Sequence, residues 1–147
     1  MNNIDLSKDY LREARIRLKY AELSLNEDKD YAYCVRDSQE AVELSIEAVL
    51  KLMGIEYAKT HDPGKLLLNY RTMFPDWFNN EINNLADISR WLRAEREPSM
   101  YGDEVEGLSP SKLYTESYCR KALESAKYVY QLCSRVVDEV IKKGFRG

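Results

Sequence analysis

The residues best equipped for chemistry lie in one short stretch, Arg96-Glu97-Pro98-Ser99-Met100-Tyr101-Gly102-Asp103. A guanidinium, a hydroxyl, a phenol and a carboxylate crowd around a proline that restricts Glu97 and makes continuation of a helix unfavourable. Rigid turns of this kind are where chains usually carry function. Arg96 suits a phosphate. Arg90 and Arg93 precede Arg96 at steps of three, so the three share one broad side of a helix. A phosphate would suit that side, which keeps Arg93 among the ligand residues. Asp87, Glu95 and Glu97 can nevertheless neutralise it, and a salt-bridged face is the simpler reading of Arg90 and Arg93.

A second polar feature is Gln39. It falls in the middle of an apolar helical stripe, where a buried amide must find hydrogen-bond partners or cost about 1–3 kcal/mol. Either it bonds to a neighbouring helix, or it stands with Glu43 in a polar pocket near the Arg96 loop. Glu40 and Glu47 read as a solvated face, with Glu47 paired to Lys51 four residues on. The only histidine, His61, has no second His, Cys or carboxylate at metal-binding intervals,. It precedes the helix start Asp62-Pro63, which suggests local hydrogen bonding. No glycine-rich phosphate loop, nucleophile elbow or paired-cysteine motif occurs, so neither a metal nor a cofactor is expected.

The elements that must position these residues read as helices. A first helix opens near Asp5 or Ser7 as cap and carries Tyr10, Leu11, Ala14, Leu18, Ala21 and Leu25 on one face until the Asn26–Asp30 cluster. A second runs from about Asp30 to Met53, with Gly54 as its stop. Its apolar face is flanked by the small residues Ser38, Ala41, Ser45 and Ala48, over which a neighbouring helix can approach closely. Asp62 caps and Pro63 starts a short third helix with Leu66, Leu67 and Tyr70. A fourth carries Ile82, Leu85, Ile88, Trp91 and Leu92 up to Pro98. Residues 101–110 read as a loop. Ser109 or Ser111 then opens the longest helix, reaching about Lys143. Its stripe, widened by Leu123, Tyr130, Val137 and Ile141, covers nearly half the circumference, so it calls for a second partner, either another helix of the chain or a second subunit.

The expected fold is thus all-α, an up-and-down bundle of four main helices plus a short fifth, forming one domain over residues 1–147. With 147 residues and 44% hydrophobic content the chain can bury a core without staples,. A net charge of -3 excludes a surface that is basic throughout and leaves room only for a local phosphate-binding patch,. Cys34, Cys119 and Cys133 read as buried, reduced thiols, which points to the cytoplasm. Trp77, Phe78, Phe74 and Trp91 read as core. No stretch approaches the ~20 apolar residues of a membrane span.

Two segments together resemble a known family. Ser38-Gln39-x-Ala41-Val42-Glu43, preceded by Arg36-Asp37, continues as an apolar helix to Met53-Gly54 and is followed by Thr60-His61-Asp62. With Arg96 to Asp103 these look like the signature regions of HEPN domains, the "higher eukaryotes and prokaryotes nucleotide-binding" family. The resemblance implies a helical bundle, commonly a homodimer whose functional loops face each other across the interface. In the ribonuclease branch an Arg, four to six residues and a His act on RNA. Here Tyr101 holds the His place, and a phenol with an ordinary pKa near 10 is a poor base at neutrality. The resemblance therefore points to noncatalytic members that bind a nucleotide or pair with a small nucleotidyltransferase in toxin–antitoxin-like systems. Arg96, Tyr101 and Asp103 would be the transferred residues: the resemblance implies Arg96 holding phosphate, Tyr101 stacking on or hydrogen bonding to the ligand, and Asp103 orienting one of them. A metal-independent RNase toxin and a purely structural interaction module are the alternatives.

Overall fold

The structure, a computed structural model, describes residues 3–59 and 62–144. His61, and the local role expected of it, lies outside the described residues. Four helices dominate: α1 (Asn3–Leu23), α2 (Tyr31–Leu52), α5 (Ile82–Arg93) and α8 (Glu116–Lys142). Short helices connect them: α3 (Pro63–Asn69), α4 (Asp76–Asn79), α6 (Arg96–Tyr101) and α7 (Pro110–Leu113). Among the described residues β pairing amounts to one isolated bridge, Asp103 to Leu108.

α1 and α2 form an antiparallel hairpin whose seam is made of small side chains. Ala14, Ala21, Ser38, Ala41, Ser45 and Ala48 are fully buried, and the Ser7 hydroxyl donates to the Ala48 carbonyl at 2.8 Å. Ser7 is therefore not a cap, because the helix already begins at Asn3 and turns this residue inward. Removing bulk from the seam lets the backbones close in, and the hydroxyl is satisfied across it. The hairpin turns through one wide helical turn, Ser24–Asp28, and Lys29 in the left-handed region (φ 56°). Asp30 then caps α2, accepting from the Tyr33 N–H at 3.0 Å.

α8 lies against both α2 and α1, burying Ala122, Leu123, Ala126, Val129, Cys133, Val136 and Val137. Its over-wide stripe is thus covered by two helices of the same chain and does not require a second subunit. The helix starts later than its periodicity suggests. The chain extends at Tyr114 and Thr115, and Thr115 caps α8 by accepting from the Tyr118 N–H at 3.2 Å.

One expectation about the thiols is corrected. Cys34 and Cys119 form a disulfide between α2 and α8, with Cα atoms 5.9 Å apart, whereas Cys133 is a free buried thiol. All three sit in the core, but two face each other across the helix interface within bonding geometry,. The aromatic expectation divides similarly. Phe74 and Phe78 are buried, while Trp77 and Trp91 cover the core edge and use their indole N–H groups on Glu139 (2.6 Å) and Tyr118 (2.9 Å).

α3 packs closely on α5. A Cβ added at Gly64 would stand 2.7 Å from the Ser89 Cβ, so only glycine permits this approach. Asp62 stitches the contact, capping α3 through the Gly64 N–H at 3.0 Å and accepting from the Ser89 hydroxyl. The cap and the Pro63 start are as the sequence predicts,. α5 ends at Arg93, earlier than Pro98. Pro98 instead lies in the first turn of α6, where its missing N–H breaks no helical hydrogen bond,. The rigid turn expected around Pro98 is therefore a short helix that runs to Tyr101, and Gly102 (φ 80°) ends it where the expected loop begins.

Candidate functional site

α2 presents one polar edge to solvent, between α1 on one side and α6 on the other. Arg17 of α1, Gln39, Glu40, Glu43, Leu44 and Glu47 of α2 and Arg96 of α6 surround a cavity of about 230 Å³. Gln39 is 1% exposed, and neither its Oε1 nor its Nε2 has a hydrogen-bond partner. That is costly, since each orphaned group in a dry setting forfeits about 1–3 kcal/mol. The amide therefore supplies the cavity with an unspent donor and an unspent acceptor side by side.

Charges around the cavity are unequally committed. Glu43 pairs with Arg93 of α5, and Arg93 also donates to the Lys59 carbonyl at 3.4 Å. Burial raises the Glu43 pKa above the ordinary carboxylate value, against the lowering pull of Arg93 and Arg96. Arg17 reaches Glu40 at 3.1 Å and Asp37 at 3.5 Å, and Arg36 reaches Glu40 at 3.8 Å. Arg96 is exposed and makes no ion pair among the described residues. It is the uncommitted cation of this edge. The expected Glu47–Lys51 pair does not form. The Lys51 ammonium lies over the Tyr57 ring, 5.5 Å from its centroid, and burial together with Glu47 pushes the Tyr57 phenol well above its usual range. Nor is Glu40 simply solvated, since it is shared by two arginines.

The residues predicted to act together are thus divided. Gln39, Glu43 and Arg96 line one cavity, with Arg93 locked onto Glu43. Tyr101, 65% exposed, sits five residues after Arg96 on α6, about 140° around that helix, and lies outside the cavity,. Asp103 faces a different cavity, about 370 Å³, together with Glu95, Glu104, Tyr114 and Tyr118. There its Oδ1 accepts from the Glu106 N–H at 3.0 Å, closing the turn that the Asp103–Leu108 bridge ties. Both Glu95 oxygens are occupied by the Tyr114 and Tyr118 hydroxyls. Burial and that carboxylate raise the Tyr118 phenol to about 12.

Two contributors escaped the sequence reading. Arg17 lies at the margin of the α1 stripe, where nothing local distinguishes it from a solvated arginine. Asp37 is 2% exposed, with one carboxylate oxygen on Arg17 and the other, Oδ2, unpartnered. A signal for it existed: Asp37, Ala41, Ser45 and Ala48 fall in line along α2, and the last three are the small residues of the buried seam.

A bundle of four main helices built on a tight α1–α2 hairpin, with a polar edge on α2 facing a short helix that bears Arg96, defines the class of this chain as an all-α helical-bundle domain. The HEPN domain family matches residues 7–136, and the chain belongs to that family. In fold it is similar to the TT1696 protein of Thermus thermophilus, known from a crystal structure, with a TM-score of 0.72 and 22% identity over 92% of this chain and 98% of that one. Comparison with curated proteins finds no match. The chain has one histidine, at position 61, and no arginine precedes it at the four-to-six-residue interval of the ribonuclease motif. No described helix is long and apolar enough to cross a membrane.

Proposed function

We propose that this chain is a noncatalytic HEPN domain that binds a nucleotide at the α2 edge. The observation that carries the reading is the Gln39 amide, buried, unpartnered at both heavy atoms and lining a cavity rimmed by the uncommitted Arg96. An amide edge offers one donor and one acceptor in a plane, complementary to the donor–acceptor edge of a purine base. Arg96 supplies the fork that phosphate oxygens accept. Glu43 and Arg93 fix the α2–α5 spacing that keeps the cavity open.

Tyr101 and Asp103 act from a second copy in this proposal. Met100, Tyr101, Val105 and Leu108 expose apolar surface within one short segment. HEPN domains commonly dimerise, and a homodimer through this segment would carry Tyr101 toward the partner's cavity. A nucleotidyltransferase partner in a toxin–antitoxin-like pair would use the bound nucleotide, and a cytoplasmic setting would suit it.

Isothermal titration of the full chain with ATP, GTP and a short RNA tests this. Saturable binding to a nucleotide is expected, with at least a tenfold loss in Arg96→Ala and in Gln39→Leu. Unchanged affinity in both variants overturns the site. Metal-independent RNA cleavage in EDTA that Tyr101→Phe abolishes would replace it with the RNase reading.

A further inference from the structure

The turn end of the α1–α2 hairpin holds a further cavity, which shares Arg17 with the proposed nucleotide site but none of that site's other residues. It measures about 490 Å³ and is lined by Arg17, Tyr20, Leu23, Ser24, Asp28, Asp30, Tyr33 and Asp37. Its chemistry is acidic and aromatic. Three carboxylates face one arginine, and that arginine is already shared between Asp37 and Glu40. Tyr20 and Tyr33 each stand half exposed, one on each helix.

The floor of the cavity sets it apart from an ordinary acidic rim. Asp37 is 2% exposed, yet its Oδ2 finds no hydrogen-bond partner, while its Oδ1 meets Arg17 only at 3.5 Å. A buried carboxylate oxygen without a donor is an expensive arrangement, retained where something else supplies the donor. Two more carboxylates, Asp28 and Asp30, line the same cavity, and their charge favours a cationic donor over a neutral one. The two phenol rings favour alkyl surface and positive charge at their faces. Asp30 already spends Oδ1 on the α2 cap, leaving its other oxygen and Asp28 at the rim for a second positive group.

We infer that this cavity binds a small alkyl diamine or polyamine, with one ammonium group donating to Asp37 Oδ2, the methylene chain between Tyr20 and Tyr33, and a second ammonium group at Asp28 and Asp30. No bond is made or broken, and the site is one of binding.

The test is isothermal titration of the full chain with spermidine and with putrescine at low ionic strength, with magnesium chloride as a probe of charge alone. One saturable site is expected for an amine. Asp37→Asn should weaken it at least tenfold, and Tyr20→Ala, an exposed position outside the core, should weaken it severalfold with the circular dichroism spectrum unchanged. Absence of saturable amine binding overturns the inference. So does equal affinity in Asp37→Asn, or displacement of the amine by magnesium at matched charge concentration, either of which reduces the effect to diffuse attraction. Because Asp37 pairs with Arg17, which lines both cavities, the circular dichroism spectrum of Asp37→Asn, rather than nucleotide binding, serves as the control for folding.

Discussion

Glu43 and Arg93 form an ion pair that joins α2 to α5 at the floor of the α2 edge, both side chains mostly shielded from water. Such a pair is worth little as net attraction, because its desolvation cost offsets the Coulomb gain. Its effect is positional, since breaking one side strands a charge. Arg93→Ala should destabilise the fold by about 1–3 kcal/mol, discounted from the fully buried case for partial exposure. Glu43→Gln combined with Arg93→Ala should recover much of that loss. Chemical denaturation of both variants measures it, and a double variant no more stable than Arg93→Ala contradicts the account.

Asp37 should give the protein a distinctive pH response. Burial pushes its pKa up to about 6, with Glu40 adding to the rise and Arg17 and Arg36 opposing it. The folded state therefore holds the Asp37 proton more tightly than the unfolded chain. The sign follows: this group favours the fold fully below about pH 4 and loses that contribution as pH rises through 6. Asp37→Asn should flatten the stability profile between those values and raise the melting temperature at pH 7.5. Thermal melts across pH 4–8 decide it, and identical profiles for the two proteins would be incompatible with a strained carboxylate.

The disulfide makes a counting prediction. Unfolded in guanidinium without reductant, the oxidised protein should titrate one thiol, that of Cys133, and three after reduction. The bond closes a span of 85 residues, for which chain entropy gives about 4–5 kcal/mol. Cys34→Ser with Cys119→Ser should lower stability by up to that amount. Three reactive thiols without reductant would remove the bridge from the account.

Gly64 should not tolerate a methyl group. Gly64→Ala would drive a Cβ to 2.7 Å from Ser89, and relieving that contact should cost about 1–3 kcal/mol of stability. Ser89→Gly in the same chain should restore part of it. The comparison is made by denaturant midpoint, and a neutral Gly64→Ala argues against so close an α3–α5 approach.

Local chemistry was legible in the sequence wherever one residue settles its own neighbourhood. Asp62 announces its helix because a cap bonds only two or three residues ahead, and Gln39 was conspicuous because its stripe is otherwise apolar. Features depending on tertiary placement were not. Ser7 looks like a cap until α2 supplies the Ala48 carbonyl, and Cys34 and Cys119 look like free thiols until α8 lies on α2. The breadth of the α8 stripe signalled a second partner without saying that α1 fills the role. Tyr101 and Arg96 read as companions in a loop. Once the stretch is a helix, five residues of spacing set them on different sides, and the site reorganises around Arg96 with Gln39.

One mechanical consequence follows from the Cys34–Cys119 bridge. Gln39, Glu43, Arg93, Arg96, Tyr101 and Asp103 all lie between its two ends, inside a closed covalent ring. A pulling force applied at the chain termini would pass from one sulfur to the other and bypass that ring. Stretched in an optical trap under oxidising conditions, α1 and the part of α8 beyond Cys119 could peel away and extend, while the chain carrying these six residues bore no tension at all. Reduction would release the added contour length of the enclosed 85-residue span.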